Sequence, residues 1–235
     1  MPNQTAMQGL TTTQIASFST TQMAGFTQTE LGYLTTTQFQ AITTTQISSL
    51  SSTQIKGLTT AEFGALTTTQ MSAFTSTALG GLLSTQINAL TTATIAAITT
   101  AQVGGLVGTQ LAGATSTFLN ALTTTTLSTL TTTQLDSLTS AQLTTLNSTQ
   151  FGALTTVQLG GFNATQVKGF STTDLGILTT VQLTGLTSTA IGALASTQLQ
   201  ALTTSVIAAI ATTQLDGLAS TQLGQLTTTP PRSSR

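Results

Sequence analysis

Seven charged side chains lie in the body of this chain: the acids Glu30, Glu62, Asp136, Asp174 and Asp216, and the bases Lys56 and Lys168. Two carboxylates about 5–10 Å apart could cleave a glycosidic bond. Several acidic oxygens in one short loop could hold calcium. No Asp-rich loop is present, and only stacking of distant segments could pair two of these acids. His and Cys are absent, which removes the usual general base, the thiol nucleophile and the commonest transition-metal ligands. Charged residues make up 4% of the 235, against about 25% in ordinary soluble domains. Four Lys and Arg cannot form the basic cluster that phosphate contacts require. The expectation is no enzyme, no catalytic, cofactor-binding or metal residue, no cofactor and no nucleic-acid partner.

The elements that must position these residues follow from an internal repeat of eight. Large apolar residues recur at every eighth position from Leu10, through Phe18, Phe26, Leu34 and Ile42, to Leu226. Residues 10–225 make 27 full octads with no insertion or deletion. With positions named a to h, the consensus is Leu-Thr-Thr-Thr-Gln-Leu/Ile-x-Ala/Gly. Position a is large and apolar except at Ala114, and f is apolar throughout. Position e is Gln or Glu in 20 of the 27, and b is Ser, Thr or Asn in 22.

Apolar spacings of five and three fit neither a continuous strand nor a continuous α-helix, so each octad mixes two conformations. Ser or Thr at b with Gln or Glu at e is the capping-box spacing. In Leu34-Thr-Thr-Thr-Gln-Phe39, Thr35 becomes the N-cap and Gln38 its reciprocal partner. Position a then falls at N′ and f at N4, the two ends of a hydrophobic staple. Small residues at g and h, often Gly, are expected to end the helix in a left-handed conformation. The expected fold is an all-α repeat solenoid: a superhelix of 8-residue repeats, each a short capped helix of one to two turns plus a brief extended link. A β-solenoid is the alternative, because Thr and Ile favour strands. Ordering eight residues costs more than two buried apolar side chains return, so no octad folds alone and neighbours must share a core.

Residues 1–229 are expected to form a single octapeptide-repeat solenoid. Pro230 and Pro231 replace the Gln and the apolar residue of the next octad, so 230–235 reads as a linker or disordered tail. In the octad of Ala114, Phe118 stands at e and is expected to turn inward. Glu30, Glu62 and Asp174 fall at e, where capping accounts for them. Asp136, Asp216, Lys56 and Lys168 fall at g, a solvent-facing position. Asn3, Asn147 and Asn163 begin N-x-S/T sequons, but Asn147 and Asn163 stand at b and read as N-caps. Tyr33, the one Tyr, replaces a small h residue and reads as packing.

No stretch approaches the ~18 consecutive apolar residues of a membrane span, so no membrane insertion is expected. The octad Leu-Thr-Thr-Thr-Gln-Ile-x-x resembles the Thr/Gln-rich tandem repeats of long bacterial surface and adhesin-like proteins, over residues 2–229. That resemblance implies an extracellular or cell-surface setting. No signal peptide is visible, which fits a segment of a larger protein or export through a signal outside the chain. The function expected is a non-enzymatic structural or adhesive repeat spacer. Two alternatives remain: an ice- or surface-binding module using flat rows of Thr, and a self-assembling matrix or filament element formed by surface or end-to-end association.

Overall fold

The computed structural model of the chain describes residues 3–228. Every octad from residues 2–9 to 218–225 contains one short helix, and no strand occurs among the described residues, so the β-solenoid alternative is overturned. All but one of these helices are α; the octad at 162–169 forms a turn followed by a 3-10 helix, Val167–Gly169. The tail expected at 230–235 lies outside the described residues.

Each octad folds as its residues dictate. The b residue is extended, as at Thr35 with φ −77° and ψ 159°. Its hydroxyl accepts from the Gln38 N–H at 3.2 Å, and Gln38 Oε1 accepts from the Thr35 N–H at 2.8 Å. This reciprocal box recurs along the chain, as at Thr11, Thr67, Thr131 and Thr179. The three sequon asparagines cap as well. Asn3, Asn147 and Asn163 each accept at Oδ1 from a following backbone N–H, at 2.9–3.1 Å. Where b is Leu83, Val107 or Ala211, no cap side chain exists, and the N–H of the Gln at e falls back on the b carbonyl.

Glycine does not end these helices by a left-handed turn: among the described residues none has positive φ. The residue after the helix stays in the right-handed region in most octads, as at Ala41, Gly81 and Gly161, or is already extended, as at Phe18 and Leu122. Where e is Gln, the b N–H is taken by a side chain of the coming helix, as at Thr35 and Thr43; the helix also ends before Thr75 and Thr187, where e is Ala. Ser220–Thr228 runs past its octad.

The contacts divide the chain into two compact units, residues 1–122 and 123–235. Within the first, helices stack on the third octad following. Gln28–Leu31 packs on Ser52–Ile55, which packs on Ser76–Gly80, which packs on Thr100–Val103. Two further columns run beside it, one from Thr12–Ser17 and one from Thr20–Gly25. The second unit stacks likewise, from Ser148–Gly152 to Thr172–Gly176 to Ser196–Leu199 and on to Ser220–Thr228. One coil of each solenoid therefore holds three octads. Side chains at a, e and f fill the interior, whereas b, c and d are exposed or half-buried. In the second unit the core includes an edge-to-face run of rings, Phe151 against Phe170 at 5.1 Å and Phe162 against Phe170 at 5.3 Å.

Gly at h has its reason in the neighbouring coil. A Cβ on Gly57 would lie 1.9 Å from the Gln28 carbonyl oxygen. On Gly105, Gly185 and Gly217 it would lie 2.0–2.2 Å from the carbonyl oxygens of Ser76, Thr156 and Ser188. Each partner lies 29 residues earlier, at position c. The small residues set how closely coils approach.

Candidate functional site

The recurrent polar site of this chain is the side chain at e. A glutamine amide has an acceptor and a two-hydrogen donor. Oε1 closes the box within its own octad; Nε2 then points across to the coil before. Gln46 Nε2 donates to the carbonyls of Ile15 and Phe18, both at 2.8 Å. Gln54 reaches Met23 and Phe26, Gln102 reaches Met71 and Phe74, and Gln110 reaches Leu79 and Leu82, all at 2.7–2.9 Å. In the second unit Gln158 reaches Leu127 and Leu130, and Gln214 reaches Leu183 and Leu186, at 2.8–2.9 Å. The acceptors stand 31 and 28 residues earlier, at f and at the following a. One side chain thus caps its own helix and satisfies the end of another. Sequence reasoning assigned the first role and missed the second. The signal was there: a capping box takes Glu or Gln, yet of the 20 such residues at e only Glu30 and Glu62 are Glu.

Those exceptions, with Asp174, are buried at e and hold capping boxes with Thr27, Thr59 and Ser171. Glu62 is 1% exposed. Its Oε2 accepts from the Thr59 N–H, whereas its Oε1 is buried with no hydrogen-bond partner. Burial raises its pKa above the ordinary 4.5, and hydrogen bonds from Thr59 offset part of that rise. At g, Lys56, Asp136, Lys168 and Asp216 are all exposed.

Asp136 is the one acid drawn to another octad by a hydrogen bond: its Oδ1 accepts from Asn163 Nδ2 at 3.0 Å. They border a shallow, open depression with Thr139, Ser140 and Thr165, beside the octad whose helix is 3-10. No second carboxylate lines it. No group of three or more acids capable of holding a metal occurs among the described residues. Phe118 is 1% exposed, so it does turn inward in the octad where a is Ala114. Tyr33 is half-buried at h. No helix of the described residues is long and apolar enough to cross a membrane.

A search of curated proteins found no match to the chain. Residues 39–76 and 167–204 match the model of a family described as the ALTTAQ repeat, whose six letters read as positions h, a, b, c, d and e of the octad; a tandem-repeat family is thus present twice in this chain.

Proposed function

We propose that the chain is a non-enzymatic structural spacer, a segment of a larger extracellular bacterial protein that sets the distance between parts joined to it. The observation that supports this reading is where the polar side chains are used. The amide at e and the hydroxyl at b are consumed by caps and links between coils, octad after octad. What faces outward is a repetitive surface of Thr, Ser and Ala, without a distinct constellation of reactive groups. Length then becomes the property that varies with repeat number.

The test removes residues 58–81, three whole octads, from a chain carrying a spectroscopic label at each end. The helical circular dichroism per residue should persist and the label-to-label distance should shorten; a second removal of three octads should shorten it equally. An unchanged distance, or loss of helix, rules the spacer out. An adhesive variant of this reading draws on exposed apolar residues at stacked positions. Val157 and Val181, both at d and 24 residues apart, are 72% and 68% exposed. Replacing both by Thr should weaken attachment to an apolar surface if adhesion is the role, and leave the spacing unchanged.

A further inference from the structure

We propose that Glu62 is a proton-operated link between two coils of the first unit: its neutral carboxyl group donates from Oε1 to the carbonyl of Leu31 or Leu34, and its ionisation releases that link. The inference starts from the orphaned oxygen. Glu62 Oε1 is buried without a partner, while Oε2 closes the box with Thr59. In the octads on either side, the atom in that place is a glutamine Nε2. Gln54 uses it on the carbonyls of Met23 and Phe26, and Gln70 on those of Phe39 and Ile42. The same offsets of 31 and 28 residues from Glu62 fall on Leu31 and Leu34. A carbonyl only accepts, and so does a carboxylate; a proton on Oε1 supplies the missing donor.

No charged neighbour offers another solution. The helices packed on that of Glu62, Thr36–Gln40 and Ser84–Ile87, carry no ionisable side chain. The octad that holds Leu31 carries Glu30, tied to Thr27, and the half-buried Tyr33; the octad before Glu62 ends near the exposed Lys56. No ion pair to Glu62 is present among the described residues. Burial in this surrounding favours the neutral acid, the form that can donate.

The sign of the pH dependence follows. Folding raises the proton affinity of Glu62 above that of the unfolded chain, whose value is 4.5. Its contribution is therefore complete below pH 4.5 and is lost as pH rises through the folded value. Glu62→Gln installs a donor that does not titrate. Thermal melting of the full chain and of E62Q should be compared from about pH 4.5 to about pH 9. The E62Q melting temperature should pull ahead as pH rises. The gap should reach roughly 3–5 °C for each tenfold gain in proton affinity on folding. Parallel curves overturn the proposal. An infrared difference spectrum, wild type minus E62Q, at about pH 4.5 should contain the band of an undissociated carboxyl that vanishes at higher pH. A carboxylate band alone in that spectrum overturns it equally.

Discussion

Replacing Gln102 tests the link between coils at a site where all its bonds lie in the first unit. Gln102 is 5% exposed; it accepts from the Thr99 N–H at 2.8 Å and donates to the Met71 and Phe74 carbonyls at 2.9 and 2.7 Å. Gln102→Met keeps the length of the side chain and removes all three bonds. At about 1 kcal/mol net for each, the loss is ~3 kcal/mol. The Met71 carbonyl still accepts from the Phe74 N–H at 3.2 Å, so its desolvation is partly relieved and a range of about 2–4 kcal/mol is expected. Gln102→Glu differs in kind. It retains an acceptor for Thr99 and turns a second acceptor toward two carbonyl oxygens. At neutral pH it should cost more than the Met variant, because a buried charge then faces two negative dipole ends. Below about pH 4 protonation restores one donor, and the order of the two variants should reverse. Urea melts of the wild type and both variants at two pH values measure this, each unit's transition being fitted separately where they resolve. If the Gln102→Glu variant were as stable as the wild type at neutral pH, the amide donor would not be what joins the coils.

Other perturbations separate the roles of similar residues. Gly105→Ala pushes a methyl to 2.0 Å from the Ser76 carbonyl oxygen and should destabilise by about 1–3 kcal/mol, whereas Gly25→Ala meets nothing within 4 Å and should stabilise by about 0.5–1 kcal/mol, both read from denaturant midpoints. Phe118→Ala empties a fully buried site and should cost about 3–5 kcal/mol by the same measurement. Leu83→Thr supplies a missing cap hydroxyl at a 50% exposed position and should raise stability by about 0.5–1 kcal/mol; a crystal structure should show the Gln86 N–H turned to the new hydroxyl.

The helical reading of the octad was legible because its cues are local. The hydroxyl of Thr35, the amide of Gln38 and the staple pair Leu34 and Phe39 lie within six residues, and their spacing encodes their bonds. The inward turn of Phe118 was legible by volume, since Ala114 leaves the a site underfilled. What escaped depends on partners about a coil away. Gln46 gives no local sign that its second hydrogen-bonding group will meet Ile15 and Phe18. Gly57 suggests a helix stop, yet its need to be Gly comes from the carbonyl of Gln28. The 3-10 geometry at Val167–Gly169 was illegible too: Asn163 caps as read, its Oδ1 accepting from the Thr165 and Gln166 N–H groups, but nothing local shows that its Nδ2 meets Asp136, 27 residues earlier.

The fixed offsets of the glutamine links bear on what kinds of genetic change such a gene can absorb. The glutamine links span 28–31 residues and overlap within a unit, so that residue 30 lies beneath those of Gln38, Gln46 and Gln54. A one-residue insertion would put all of those out of register at once, then leave the chain beyond in frame with itself. The injury would be sharp but confined to one coil. Gain or loss of whole octads, by contrast, keeps every offset intact, so replication slippage in units of eight codons can lengthen or shorten the protein without a cost in fold. Point substitution at c or d and change in copy number are then the variation that drift can accumulate, and single-codon insertions are the class that selection should remove.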